Sequence, residues 1–171
     1  MCSSDLVLRE EIARFYKKKY DIEISPDRVV ITTGSSGAFL LALIAGFDSG
    51  ARIAVTQPGY PAYTNILSAL GLKTAQLRLS FENNFTPTAS MLAALHKEEK
   101  LQGALLMNPA NPTGTMISNK SLADICHYCD LENITFISDE IYHGLEYEKN
   151  AQSALCFSEN AIIVNSFSKY Y

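Results

Sequence analysis

GALLMNPANPTGTMISNKSLADICHYCDLENITFISDEIYH, residues 103–143, is the stretch whose reading decides the fold. Gly103–Met107 is a short apolar run without a polar break, the pattern of a strand buried on both faces. Asn108-Pro109-Ala110-Asn111-Pro112-Thr113-Gly114 interrupts it with two Asn-Pro steps and a glycine, which is turn chemistry. Ser118–Asp130 then reads as a helix, with Ser118 placed to cap its unpaired N–H groups. Ile134–Ser138 is a second apolar strand, and it delivers Asp139, Glu140, Tyr142 and His143. A strand, a helix and a strand of this kind predict parallel pairing under a covering helix.

The same alternation extends outward. Upstream, Leu6–Tyr20 is an amphipathic helix, Arg28–Thr33 a β-branched run expected to be a strand, and Ser36–Gly46 an apolar helix. Arg52–Thr56 is a strand, Tyr60–Leu70 a helix closed by Gly71, and Lys73–Leu79 another strand. Thr86-Pro87 opens a helix that runs through Glu99. Downstream, Ala161–Asn165 is the last strand. The expected fold is α/β: three layers, α/β/α, around a mostly parallel sheet, in one domain without repeats or low-complexity tracts.

Bulk composition narrows the function classes. The chain has 171 residues and a net charge of −4, so no broad basic surface points to nucleic acid or acidic membranes. The longest apolar run, Ala38 to Phe47, is too short to span a bilayer. Charged residues occupy the start, where a signal peptide needs apolar ones. A cytoplasmic protein is expected. Cys126-x-x-Cys129 falls in a helix and has no second pair to complete a zinc site, so the two are read as buried thiols and no metal is expected.

Polar clusters follow the expected strands, and open α/β sheets bind ligands at the carboxyl ends of their strands. Thr33-Gly34-Ser35-Ser36-Gly37 joins a strand to a helix start, where glycines and free N–H groups suit an anion; a plain turn reads the same way. Gln57-Pro58-Gly59-Tyr60-Pro61-Ala62-Tyr63 is a stiff loop that could aim an aromatic at a planar ring, or pack as a structural turn. Asn111, held by its proline, could donate an amide to a ligand oxygen. Asp139 could hold a protonated ring nitrogen. Asp139 and Glu140 diverge as neighbours, and His143 is read as structural. Asn165-Ser166-Phe167-Ser168-Lys169 sets a lysine among small hydroxyls, and lysine is the residue that forms Schiff bases with carbonyls.

These five segments, in this order, resemble class I/II (fold-type I) pyridoxal-phosphate-dependent aminotransferases from about Leu8 to the end. The resemblance implies the pyridoxal-phosphate-binding large domain of that fold. It implies that Lys169 holds pyridoxal 5′-phosphate and moves the substrate proton, and that Asp139 pairs with the pyridinium nitrogen. Asn111 and Tyr142 would bond the ring's O3′, and Tyr60 would stack on the ring. Gly34, Ser35, Ser36 and Ser166 would cradle the phosphate, with Ser168 beside Lys169. Amino acids and 2-oxo acids would be the substrates, and a homodimer the assembly.

The resemblance also implies missing parts. Residues 7–171 are expected to form an incomplete large domain, truncated at both ends, without the C-terminal small domain. Residues 1–6 are read as an artefactual or cut start, since Cys2 to Leu6 matches a frame of a common sequencing adapter. Such a fragment is expected to be inactive alone. A carbon–sulfur lyase, an aminocyclopropane-carboxylate synthase, or the aminotransferase-like effector domain of a transcription regulator share these cofactor residues and stay open at this point.

Overall fold

Strand pairing follows from the apolar runs. In the computed structural model, which describes residues 5–147 and 150–171, five strands form one sheet: β1 (Arg52–Gln57), β2 (Lys73–Arg78), β3 (Gly103–Met107), β4 (Thr135–Asp139) and β5 (Ile162–Val164). Their order is β2-β1-β3-β4-β5, and each pairing is parallel. Five helices accompany them: α1 (Leu6–Tyr20), α2 (Gly34–Gly46), α3 (Pro61–Ala69), α4 (Ala89–Glu99) and α5 (Asn119–Glu132). Most of the expectation for residues 1–6, and Cys2, lie outside the described residues.

Side chains alternate across the sheet and build two cores, one on each face. Ala54, Ala104, Leu106 and Phe136 pack with Leu92 of α4 and with Leu122, Ile125 and the buried thiols Cys126 and Cys129 of α5. Ile53, Val55, Leu105, Met107 and Ile137 pack with Phe39 and Leu43 of α2 and with Tyr63 and Leu67 of α3. The three-layer arrangement is therefore observed. Each fully buried Leu or Ile contributes about 1.5–3 kcal/mol. Register places Leu105 beside Ile137 and Met107 beside Asp139. Because the strands are parallel, Gln57, Met107, Asp139 and Val164 all end at one edge of the sheet.

Arg28–Thr33 is not a strand. Pro26–Arg28 is a 3-10 turn capped by Ser25, whose hydroxyl accepts from the Asp27 amide. Val29 is extended but joins no ladder, and Val30 is 70 % exposed. The β-branched pattern is local, whereas a strand requires a partner edge, and neither outer strand of the sheet, β2 or β5, pairs with this segment. Other boundaries move by one to three residues. α2 starts at Gly34, Tyr60 and Thr88 are N-caps outside their helices, and β5 covers only Ile162–Val164.

Candidate active site

Asp139 ends β4 and is 1 % exposed. It continues the side of the strand that carries Ile137, which faces α2 and α3. The Tyr63 hydroxyl donates to its Oδ2, and the Ile141 amide donates to Oδ1 at 3.1 Å. Burial lifts the carboxyl from the ordinary range to about 6, while those two hydrogen bonds pull it back down. Tyr63 itself is pushed up, first by burial and then by the Asp139 charge.

Three aromatic side chains fix this corner. The Tyr63 ring packs edge-on against Phe39 at 5.3 Å and against Tyr60 at 5.5 Å. Tyr60 is 43 % exposed at the N-cap of α3, so one face of this aromatic cluster opens to solvent. The turn before it requires glycine: a Cβ on Gly59 would lie 2.3 Å from the Thr56 carbonyl oxygen. Tyr142 is half-buried and packs against the core that holds Phe39 and Tyr63. The structure thus joins Tyr60, Asp139 and Tyr142 through Tyr63 and Phe39. Sequence reasoning assigned those two no role. Their signal was helical spacing, since Phe39 and Leu43, and likewise Tyr63 and Leu67, recur at four residues.

Gly34, Ser35 and Ser36 form the first turn of α2, one turn before Phe39. Gly34 has φ +78°, a left-handed geometry that favours glycine. Thr33, at the N-cap, makes no side-chain cap hydrogen bond, and the Gly34 amide donates to the Thr32 carbonyl at 2.9 Å. Thr32 and Ala38, on either side of this turn, line a cavity of about 350 Å³ together with Asn165 and Ser166. Ser166 and Ser168 share a 2.7 Å hydroxyl hydrogen bond, and Lys169 follows in an exposed turn. The structure gives Lys169 no direct contact with Asp139.

The Asn-Pro loop divides its two asparagines. Asn108 is buried: its Oδ1 accepts from the Ile117 amide at 2.9 Å, and its own amide donates to the Asp139 carbonyl at 3.0 Å. It ties the loop to the end of β4. Asn111 is half-buried beyond that anchor, on a turn closed by Gly114 donating to the Ala110 carbonyl at 2.8 Å.

Glu140 and His143 point away from this corner into a second buried network. Glu140 Oε1 accepts from the Ser138 and Ser153 hydroxyls and the Ala154 amide. His143 Nδ1 lies 2.7 Å from the Tyr20 hydroxyl of α1 and 3.6 Å from Glu140 Oε2. Burial lifts Glu140 to about 7 and pulls His143 down to about 4. Among the described residues, no group of three or more His, Cys, Asp or Glu is placed to hold a metal ion, and no helix is long and apolar enough to cross a membrane.

Comparison with known proteins identifies the family. The family model described as aminotransferase class I and II matches residues 3–171. The chain is 49 % identical over 166 residues to a valine–pyruvate aminotransferase of Mycobacterium tuberculosis, covering 96 % of this chain and 42 % of that protein. It is 37 % identical over 170 residues to a (5-formylfuran-3-yl)methyl phosphate transaminase of Methanocaldococcus jannaschii, covering 97 % of this chain and 42 % of that protein. A crystal structure of an aminotransferase from Mycobacterium tuberculosis superposes with a TM-score of 0.91 at 49 % identity, over 97 % of this chain and 45 % of that one. The chain spans under half the length of these relatives.

Proposed function

Because the chain belongs to the class I and II aminotransferase family, we propose that it is the cofactor-binding part of a pyridoxal-phosphate-dependent transaminase, which moves an amino group from an amino acid to a 2-oxo acid. The observation that carries this reading is the buried Asp139 carboxyl at the end of β4, held by Tyr63, whose ring packs against the half-exposed Tyr60. Similarity to transaminases favours amino transfer over the lyase, synthase and regulator alternatives.

The residues fit the group. A buried carboxyl whose charged form is supported by two hydrogen bonds suits a ring nitrogen that must stay protonated, and the solvent-facing Tyr60 suits the face of a planar ring. The uncapped start of α2, with Ser35 and Ser36, suits a phosphate, and Ser166 lines the cavity that flanks it. When bound, the cofactor supplies an electron sink for charge developing at the substrate Cα. Asp139 would hold the proton on the ring nitrogen, and Asn111 and Tyr142 would orient the ring by its phenolic oxygen. Lys169 would supply the attaching amine and carry the proton to and from Cα, with Ser168 beside it. A homodimer and a cytoplasmic location belong to the same proposal.

The test is direct. The chain is mixed with pyridoxal phosphate and reduced with borohydride, and the modified lysine is mapped by peptide mass spectrometry. Selective labelling of Lys169, lost in Lys169→Ala, is the expected result. Labelling scattered over surface lysines would reject Lys169 as the attachment site. Valine with pyruvate is the first substrate pair to assay, given the Mycobacterium tuberculosis relative.

A further inference from the structure

Tyr63 makes a buried bond that the fold does not require. Its ring already fills the space between Phe39 and Tyr60, and a phenylalanine would fill the same space. Its hydroxyl instead reaches across from α3 to the Asp139 carboxylate on β4. The groups facing that carboxyl are few. From α3 comes the Tyr63 hydroxyl, which itself feels Tyr60 and Tyr142; from the start of the loop after β4 come the Ile141 amide and the charge of the neighbouring Glu140. No Lys, Arg or His among the described residues pairs with Asp139 by charge. Two hydrogen-bond donors therefore stand between this acid and the full cost of burying its charge.

We propose that Tyr63 is the positioning residue for Asp139: its phenol fixes the carboxyl orientation and favours the charged form, so that α3 sets how strongly the acid can hold a proton on a bound ring nitrogen. Donation to Oδ2 and the Ile141 amide on Oδ1 hold the two oxygens from different sides, which removes rotation about the last side-chain bond. The consequence for a ring nitrogen rests on the function proposed above; the effect on Asp139 itself does not.

The experiment therefore begins without cofactor. Aspartate is labelled with carbon-13 at the carboxyl, and the Asp139 resonance is assigned from its loss in Asp139→Asn. It is titrated in the chain and in Tyr63→Phe. Losing a charge-assisted hydrogen bond should raise the proton affinity of Asp139 about ten-fold or more. Phe39→Leu, which loosens the same packing but spares the phenol, should leave the midpoint within about two-fold of the parent. An unmoved midpoint in Tyr63→Phe, or an equal shift in Phe39→Leu, overturns the proposal. The two readings separate cleanly. A shifted midpoint with no labelling of Lys169 keeps the positioning role and rejects the cofactor, whereas labelled Lys169 with an unmoved midpoint rejects the positioning role alone.

Discussion

Adjacent residues at the end of β4 do opposite work. Asp139 turns toward α2 and α3, and Glu140 turns into the network of Ser138, Ser153 and the Ala154 amide. The acid at a strand end was legible from the sequence, because a polar residue closing an apolar run in a parallel sheet falls on the ligand-binding edge. The donor to it was not legible: which face of α3 turns inward depends on packing between helices. Glu140 carries a pH dependence that can be worked out. Its folded affinity is raised to about 7 from the ordinary carboxylate range, so between those values the folded state binds more protons than the unfolded one. Stability contributed by Glu140 therefore falls as pH rises through that window. Asp139, raised to about 6, acts with the same sign. His143, pulled down to about 4, acts oppositely, since its unfolded form takes up a proton first as pH falls. Glu140→Gln mimics the protonated acid and removes only its own contribution. Urea unfolding at pH 5 and pH 8 should show the variant gaining on the parent by up to about 3 kcal/mol at the higher pH. Parallel pH profiles would mean that Glu140 is already charged in the folded state at pH 5.

Elements were readable where the deciding signal is local. Ser118 caps α5 as its sequence suggested, accepting from the Ser121 amide at 3.1 Å. Thr88 does the same for α4 at 3.3 Å from the Met91 amide, although the sequence pointed to an opening two residues earlier. Continuous apolar runs gave β3 and β4, because strands covered on both faces need no polar alternation. Arg28–Thr33 failed for the converse reason: it has strand composition, but pairing is decided by a partner elsewhere in the chain. At this scale the caps give a quantitative expectation. Ser118→Ala should lower unfolding free energy by about 1 kcal/mol, and Ser118→Asp should restore most of it, since aspartate accepts the same backbone bond. Chemical denaturation would check both. A neutral Ser118→Ala would show that Asn108, which ties the preceding loop through the Ile117 amide, holds the start of α5 without the cap.

For the whole molecule, the sheet is covered on both faces, but α2 is apolar on more sides than it buries. Phe39 and Leu43 face the sheet, while Leu41 and Ile44 are 53 % and 64 % exposed, and Leu40 is also exposed. A helix apolar all round is normally buried all round. The unpaired segment before it adds exposed Val30 and Ile31. Single exposed aliphatic residues are ordinary on a protein surface, but five such residues on α2 and the segment leading into it mark a surface prone to association. The net charge of −4 is modest opposition. The chain should therefore self-associate with concentration, and Leu41→Glu with Ile44→Lys should reduce that association. Neither side chain contributes to the buried core, so far-ultraviolet circular dichroism should be unchanged. Sedimentation velocity over a wide concentration range decides the matter. If the parent sediments as a monomer throughout, this apolar face is tolerated in water and the association argument fails. If the parent associates and the double variant does not, the cause lies on α2. If both associate equally, the contact lies elsewhere, and the unpaired segment at Val30 and Ile31 becomes the next position to charge, because extended backbone without a ladder can pair with another copy of itself.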